Sequence, residues 1–504
     1  MGFGDFDADG LTGLAILTRA LGALGIAVTP YVPSRLEEGH GLSLAAVDAA
    51  AAEGMSLIVT VDCGTTSHAE IAAARSRGID VIVTDHHRVP ETLPEAIAVV
   101  NPHRPDSIYP DRRLSGSGVA FTLARLLLAE LPAGPRPALG LADLATIGTV
   151  ADLAPVLGEN RAIARLGLDI LRSGPRPGIA ALLARAGVAP AAVDLETVAF
   201  ALAPRLNAAG RVGEAAEAAA LLLTDDPAEA ATLAEALEAA NLTRRDLTRG
   251  AMDEARAALG EAVASSSAVV VRGPWPVGIV GLVAARLAEE TGRPAVVGAE
   301  LGAVVRASCR SGGAVDLAAT LERCGDLLLR HGGHAGAAGF EIAADRWDAF
   351  RERFLGLSET TRPADGRPAL QVDLAMPART VDYALLRDLR RLAPTGPGNP
   401  EPLVAILGLT VARVRAVNGG HTQLTLRRDP DVLDAIAAGR DDLPGLLTEG
   451  ERVDVVARLA SRTFGGFESL QLEVRDVAPS GSHPAAAAVL AGVGGIASLA
   501  GTTG

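Results

Sequence analysis

Over residues 1–105, short runs that are apolar throughout alternate with longer stretches whose apolar residues recur every third or fourth position. The first kind reads as strands buried on both faces and the second as the helices that cover them, the pattern of a parallel sheet. The spacing predicts helices over 12–25, 43–54 and 67–78. Strands are predicted at Val28–Val32, Ser56–Val61, Asp80–Thr84 and Ala96–Val100. From Gly116 to about Arg256 the helical period dominates, with helices opening at Gly116, Leu141 and Asn160. Within it, Pro204–Arg211 reads as a polar insertion between apolar helices. Asp226 is an N-cap followed by proline at the first helical position. The helix it opens runs to Leu259, a length that suits an interdomain spacer. A second α/β pattern follows, with strands at Ala268–Arg272, Pro294–Val297 and Val304–Ser311, a helix from Gly278, and a glycine-rich turn over Arg330–Gly339. Beyond 368 the period falls to two. Short strands over Leu403–Val414, Gln423–Leu426, Arg452–Leu459 and Leu470–Val477, separated by Gly-rich turns, suit an antiparallel barrel such as an OB-fold.

The predicted fold is therefore α/β. A parallel-sheet domain with a helical part covers 1–225, a connecting helix 226–259, a second α/β domain 260–360, an OB-like β-barrel 368–479, and a flexible tail 480–504. A chain of 504 residues exceeds what a single core serves, and 49% apolar residues mark it as globular. All 46 basic residues are arginine, a bias to which no function attaches. The net charge of −14 argues against non-specific coating of nucleic acid, while leaving room for a cationic channel inside an acidic shell. Cys63, Cys309 and Cys324 stand at unrelated spacings, with neither a disulfide framework nor a zinc pattern, so a reducing cytoplasm is expected. The Gly-rich apolar stretch at the end of the chain is too weak for a membrane span. No signal peptide is expected ahead of the acidic run that follows Met1. The chain is expected to be a cytoplasmic monomer without membrane association.

That acidic run, Gly4–Gly10, alternates Asp5, Asp7 and Asp9 with non-acidic residues. Taken alone, it is equally a helix cap or a site for a hard cation. Asp62 and Asp85-His86-His87 also follow predicted strands, and ligands of parallel sheets bind at strand carboxyl ends. Asp152 closes the helix from Leu141. A loop with functional carboxylates should follow a strand, yet only Met1–Phe3 precede this one. Either the strand is very short or the sequence starts inside a longer gene. Asp and His together suit Mn²⁺ or Mg²⁺ better than structural zinc. The carboxylates outnumber the needs of one ion. Two divalent ions bridged by a carboxylate would neutralise them, activate a shared water and clamp a phosphoryl group, which implies phosphoester hydrolysis. Plainer readings stand beside these. His86-His87 could be a local hydrogen-bonded cap, Asp152 a solvated helix end, Asn207 and Arg211 an interdomain clamp, and Gly332-Gly333-His334 a tight turn. Arg35, Arg205, Arg211 and Arg310 sit in small or polar motifs and suit phosphate oxygens. The glycines Gly332 and Gly333 would let backbone approach a phosphate.

The motifs Asp7-Ala-Asp9-Gly, Val61-Asp62-Cys-Gly, Asp85-His86-His87 and Gly148-Thr-Val-Ala-Asp152 resemble the signatures of the DHH phosphoesterases. Gly332-Gly333-His334 resembles that of the accompanying DHHA1 domain. The stretches Gly4–Gly10, Asn101–His103, Leu114–Phe121, Pro204–Arg211 and Pro394–Pro402 resemble the bacterial RecJ branch, in the right order from Gly4 to about Asp476. The resemblance implies a single-strand-specific 5′→3′ exodeoxyribonuclease of DNA recombination and repair, using two Mn²⁺ or Mg²⁺ ions. It implies that Asp7, Asp62, His86 and Asp152 hold one ion and that Asp5 and Asp9 serve the second or its surroundings. His87 would touch the scissile phosphate. Arg35, Ser308 and Arg310, with the neighbouring Ser311, would grip a 5′-phosphate. Arg205, Asn207 and Arg211 would line the substrate, and His334 would face it from the second domain. The barrel would hold single strand, with Phe464 and Phe467 as stacking candidates. Single-stranded-DNA-binding protein and a helicase are the candidate partners. The chain departs from the branch in lacking a segment ahead of the first motif, in His40 where a Tyr is usual, and in Pro276 after Trp275 where a His is usual. The alternative is a DHH phosphodiesterase of short oligonucleotides or cyclic dinucleotides, which the third domain disfavours. A pyrophosphatase is disfavoured by length. A non-catalytic scaffold is disfavoured because the acidic and His motifs are all present.

Overall fold

A computed structural model describes residues 1–134, 136–260, 266–313, 315–359, 370–428, 430–464 and 467–482. The chain forms two compact units, Met1–Asp365 and Gly366–Gly504.

The first unit opens on a parallel sheet of β1 (Gly2–Gly4), β2 (Pro30–Tyr31), β3 (Leu57–Val61), β4 (Asp80–Thr84) and β5 (Ala98–Val100), in the order β2-β1-β3-β4-β5. The three residues of β1 lie between β2 and β3, with Phe3 wholly buried. Asp5, Asp62 and Asp85 are the residues that follow β1, β3 and β4, so three adjacent strands deliver carboxylates to one edge. Helix Ala8–Ala23 starts four residues before the predicted Thr12. The cause is Asp7, whose side chain accepts the N–H groups of Asp9 and Gly10 and so caps the helix. Gly10 is needed there because a Cβ would stand 2.5 Å from the Asp5 carbonyl oxygen.

Helices Gly116–Leu128 and Ala142–Ala151 pack on helix Ala8–Ala23, and helices Gly158–Ser173 and Pro177–Ala186 extend the same core. Pro204–Arg211 is not an insertion between helices. It lies in helix Ala203–Val212, after a π-helical turn at Val198–Leu202, and buries Leu206, Ala208 and Ala209. Its polar residues misled because their partners are distant in sequence: Arg205 pairs with Glu238, Asn207 accepts the Ala8 N–H and Arg211 donates to the Gly278 carbonyl. Helix Pro227–Leu259 is a shared wall and not a spacer: Ala230, Ala234 and Leu237 join the first core, and Ala251, Met252 and Ala255 join the next.

The second lobe of this unit is a mixed sheet of β6 (Val269–Gly273), β7 (Ala295–Leu301), β8 (Val304–Arg310), β9 (Leu328–Gly333) and β10 (Ala337–Ala343), ordered β6-β7-β8-β10-β9. Helix Val277–Thr291 covers one face and Trp347–Glu359 the other. The expected glycine-rich turn over Arg330–Gly339 is mostly the β9–β10 hairpin, because strand pairing runs through Gly332 and Gly333. Only His334–Gly336 turns.

The second unit holds β11 (Leu374–Pro377), β12 (Val404–Val417), β13 (His421–Arg427), β14 (Val432–Ala437), β15 (Arg452–Phe464) and β16 (Phe467–Pro479). Pairing of β12 with β15 closes a five-stranded barrel around its own core. The side chains of Phe464 and Phe467, and the predicted tail from 483 onward, lie outside the described residues. Among the described residues, no helix is long and apolar enough to cross a membrane.

Candidate metal centre

The carboxyl edge of β1, β3 and β4 meets the C-terminal end of helix Ala142–Ala151, whose C-cap is Asp152. Three sets of side chains bring ligand atoms within 4.8 Å of one another: Asp5, Asp7 and Asp62; Asp62, His86 and His87; and Asp9, His86 and Asp152. Asp62 and His86 are shared, so the sets form one cluster. Asp62 adopts φ +63°, a conformation that Asp tolerates better than most residues. Its Oδ1 is fully buried, stands 3.1 Å from His86 Nε2 and receives no hydrogen bond. Asp9 is held by the N-terminus of helix Gly116–Leu128, accepting the N–H groups of Gly116 at 2.6 Å and Ser117 at 3.0 Å. A Cβ at Gly116 would lie 2.4 Å from Asp62 Oδ1, so the motif glycine is what admits that carboxylate. Asn207 Oδ1 accepts the N–H of Ala8 and fastens the acidic loop to helix Ala203–Val212.

Without a cation this cluster is electrostatically strained. Burial first, then the charges of Asp5 and Asp9, push Asp7 up to about 6. Burial, then Asp9 and Asp7, push Asp152 up to about 8 and Asp62 well above the carboxylate range. Burial lowers the pKa of His86, which keeps its ring neutral and able to donate a lone pair. An orphaned carboxylate oxygen, a neutral imidazole and mutually repelling carboxylates fit a pair of divalent cations.

His87 behaves differently. Its hydrogen bond to Asp85 raises it to about 9 despite burial, so it is an imidazolium at neutral pH. Asp85 Oδ1 lies 2.8 Å from His87 Nδ1 and also accepts the N–H groups of His86 and His87; Oδ2 accepts that of Thr65. Burial alone would raise Asp85, but these partners hold it well below the usual carboxylate range. Sequence reasoning put Asp85 at the same strand-end edge but gave it no role among the candidate site residues, although its place directly before the two histidines was a signal. It also gave no contact for His40, whose Nδ1 stands 3.1 Å from Asp5 Oδ2.

Arg35, Arg211 and Arg310 form a second cluster beside the carboxylates. Arg35 lies 4.8 Å over the Phe6 ring. Arg211 donates to the Gly278 carbonyl, and Arg310 Nη1 lies 3.1 Å from Ser308 Oγ. Burial, then the charges of Arg35 and Arg244, push Arg211 down to about 9. Arginine does not release its proton under ordinary conditions, so the crowding marks a place where an anion would be welcome. Helix Val277–Thr291 leaves room there, since a Cβ at Gly281 would meet Ser308 Oγ at 3.1 Å. Other predicted site residues lie elsewhere or are occupied. Arg205 is paired with Glu238 and bonded to the Ala201 carbonyl. The Ser311 hydroxyl accepts the Gly313 N–H within a turn. Gly332, Gly333 and His334 are exposed at the hairpin tip, with no contact to the carboxylates among the described residues.

The sequence matches the DHH family, N-terminal domain over residues 2–149, the DHHA1 domain over 265–357 and the RecJ OB domain over 372–476. A parallel sheet with an acidic and histidine-bearing edge, joined to a second α/β lobe, thus defines a chain of the DHH class. It is 36% identical over 94% of its length to a Salmonella typhimurium protein described as single-stranded-DNA-specific exonuclease RecJ, and covers 86% of that protein. It is 35% identical to the Bacillus subtilis protein of the same description, of whose length it spans 61%. Crystal structures of RecJ from Thermus thermophilus superimpose with TM-scores of 0.82 for the Mn²⁺ complex and 0.75 for the Mg²⁺ complex. These are 35% and 33% identical, matching 95% and 94% of this chain and 69% and 66% of theirs. The chain belongs to the RecJ family.

Proposed function

We propose that this chain is a single-strand-specific 5′→3′ exodeoxyribonuclease that hydrolyses phosphodiester bonds with two Mn²⁺ or Mg²⁺ ions, and that it serves DNA recombination and repair in the cytoplasm. The observation that carries the reading is the juxtaposition of two opposite clusters. A carboxylate and histidine group that needs cations stands beside three guanidiniums that need an anion. A 5′-terminal nucleotide supplies phosphate to both.

Asp5, Asp7, Asp9, Asp62, His86 and Asp152 are the residues that would hold the ions. When bound, such ions supply charge neutralisation and an activated water for phosphoryl transfer. The protein's own part is positioning. Backbone N–H groups at the N-terminus of helix Gly116–Leu128 fix Asp9. Asp85 holds His87 protonated, so an imidazolium can face the negative phosphate. Arg35, Arg211 and Arg310, with Ser308, would receive the terminal phosphate, whose second charge a 5′-hydroxyl end lacks. The barrel would hold strand beyond the cut, where single-stranded-DNA-binding protein or a helicase could present it.

The direct test uses purified protein, Mn²⁺ and end-labelled single strand, with duplex and dinucleotide controls. Asp62→Ala should abolish degradation of 5′-phosphorylated single strand while the circular dichroism spectrum stays that of the parent. Parental rates in the variant would remove Asp62 from the site. Turnover of the dinucleotide alone would favour a small-substrate phosphodiesterase.

A further inference from the structure

The inward stripe of helix Pro227–Leu259 is apolar at both ends and polar in the middle. Ala230, Ala234 and Leu237 pack into the first core, and Ala251, Met252 and Ala255 into the next. Between them the same face carries Asn241, Arg244 and Thr248, and the other half-buried positions are Glu238 and Ala240. Successive turns of one helix face thus turn from alanine and leucine to amide, guanidinium and hydroxyl where the helix passes from one core to the other.

The hydroxyl is accounted for, since Thr248 Oγ1 donates to the Arg244 carbonyl. The other two are not. Asn241 is 3% exposed and its Oδ1 accepts no hydrogen bond; Arg244 Nε is buried with no acceptor. Leaving a buried polar group unpaired forfeits its hydration with nothing in return. The charges that act most strongly on Arg244 are Arg286, Arg245 and Arg205, all cations. Arg205 is matched by Glu238. Among the described residues, no carboxylate pairs with Arg244 or Arg286. Arg244 also adjoins Arg211, whose Nε is likewise unpaired. Arg211 bonds to Gly278 at the start of helix Val277–Thr291, and that helix carries Arg286 and packs against the helix that carries Arg244, so the cations continue from the trio beside the carboxylates, through Arg211, to Arg244 and Arg286 across the junction of the two cores. Water could satisfy Asn241, but it would leave the charge uncompensated.

We infer that Arg244 and Arg286 bind an internucleotide phosphate of a polynucleotide strand, at a site separate from the arginines that receive the terminal phosphate. This rests on the nuclease reading above and adds a second grip on the same strand. A strand is favoured over a small free anion because the site continues a row of cations that begins at the candidate centre.

The test is fluorescence anisotropy with labelled oligothymidylate bearing a 5′-phosphate or a 5′-hydroxyl, in EDTA, across a series of KCl concentrations. Parent, R244Q, R244K and R244Q/R286Q are compared, each with its thermal midpoint. The double variant should bind both strands several-fold more weakly. Its slope of log affinity against log salt should be shallower by about 0.7, the change expected when one phosphate is no longer neutralised. R244K should retain most of the affinity, and the midpoints should match the parent. A parental slope in the double variant would overturn the inference. So would R244K binding as weakly as R244Q with a lowered midpoint, which would make Arg244 a packing residue. The parent's own Mn²⁺-dependent degradation separates the two claims. If the parent degrades strand and the double variant binds as tightly, this inference alone fails. If the parent neither binds nor degrades, the nuclease reading fails and takes this one with it.

Discussion

His87 carries a charge set by one neighbour. Asp85 raises it to about 9 through a 2.8 Å contact, and an Asn there would accept a hydrogen bond without the opposite charge. Asp85→Asn should therefore let His87 fall toward the usual histidine value, near 6.5. The imidazolium would then be lost above about pH 7 instead of about pH 9, and the alkaline limb of kcat/KM should move down with it. A pH–rate profile of the variant reads this, and an unmoved limb would mean that His87 takes no part at its charged state. The residues of the cluster were legible because strand ends can be found from apolar runs, and polar residues at strand ends have an address. What Asp85 does was less legible, because the hydrogen bonds that distinguish a ligand from a supporting carboxylate are matters of orientation. Arg205 illustrates the same limit: its motif resembled a phosphate contact, but Glu238, thirty-three residues away, takes its charge, and nothing local announces that pairing.

At the scale of elements, two helix N-termini make the site. Helix Ala8–Ala23 is capped by Asp7, which is also a candidate ligand, so the run Gly4–Gly10 is both of the things it could have been. Helix Gly116–Leu128 grips Asp9, and its first residue must be glycine. Gly116→Ala would press a methyl group 2.4 Å from Asp62 Oδ1. It should destabilise the fold by about 1–3 kcal/mol, as overpacking does, and weaken Mn²⁺ binding through displacement of Asp62. Denaturant unfolding and calorimetric titration measure the two effects. Full Mn²⁺ affinity with parental stability would show that the backbone yields there without cost. Strands and helices were legible from period, and their order gave the sheet. The start of helix Ala8–Ala23 was not, because a cap buried by a tertiary cluster looks the same in sequence as a loop. The shared wall at Pro227–Leu259 was misjudged for a similar reason: small buried alanines do not declare which of two cores they enter.

For the first unit as a whole, the cluster couples metal, protons and stability. Asp7 and Asp152 have folded-state values of about 6 and about 8, above the ordinary 3.9 of an unfolded chain. Groups raised in this way favour the fold while protonated, and that contribution is lost as pH rises through the folded values. His87, raised to about 9, acts in the same direction between about pH 6.5 and 9, while His86, lowered, opposes it. The metal-free protein should therefore melt at lower temperature as pH is raised from about 5.5 to about 8.5. Mn²⁺ binds only the deprotonated carboxylates, so the rise in melting temperature that it causes should grow over the same interval. Differential scanning calorimetry with and without Mn²⁺ checks both, and a metal effect independent of pH would count against these carboxylates as ligands.

The candidate ligands are drawn from separated parts of the chain, from Asp5 at the end of β1 to Asp152 at the end of a helix beyond the sheet. Their supports, Gly116 and Asn207, come later still or in between. No early portion of the polypeptide carries the set. During synthesis, a chain that has not yet extended past Asp152 possesses the acidic loop but not the constellation. The interleaving ties the candidate centre to completed folding: its ligand set comes together only once the sheet, the helices behind it and the chain order between them are all in place.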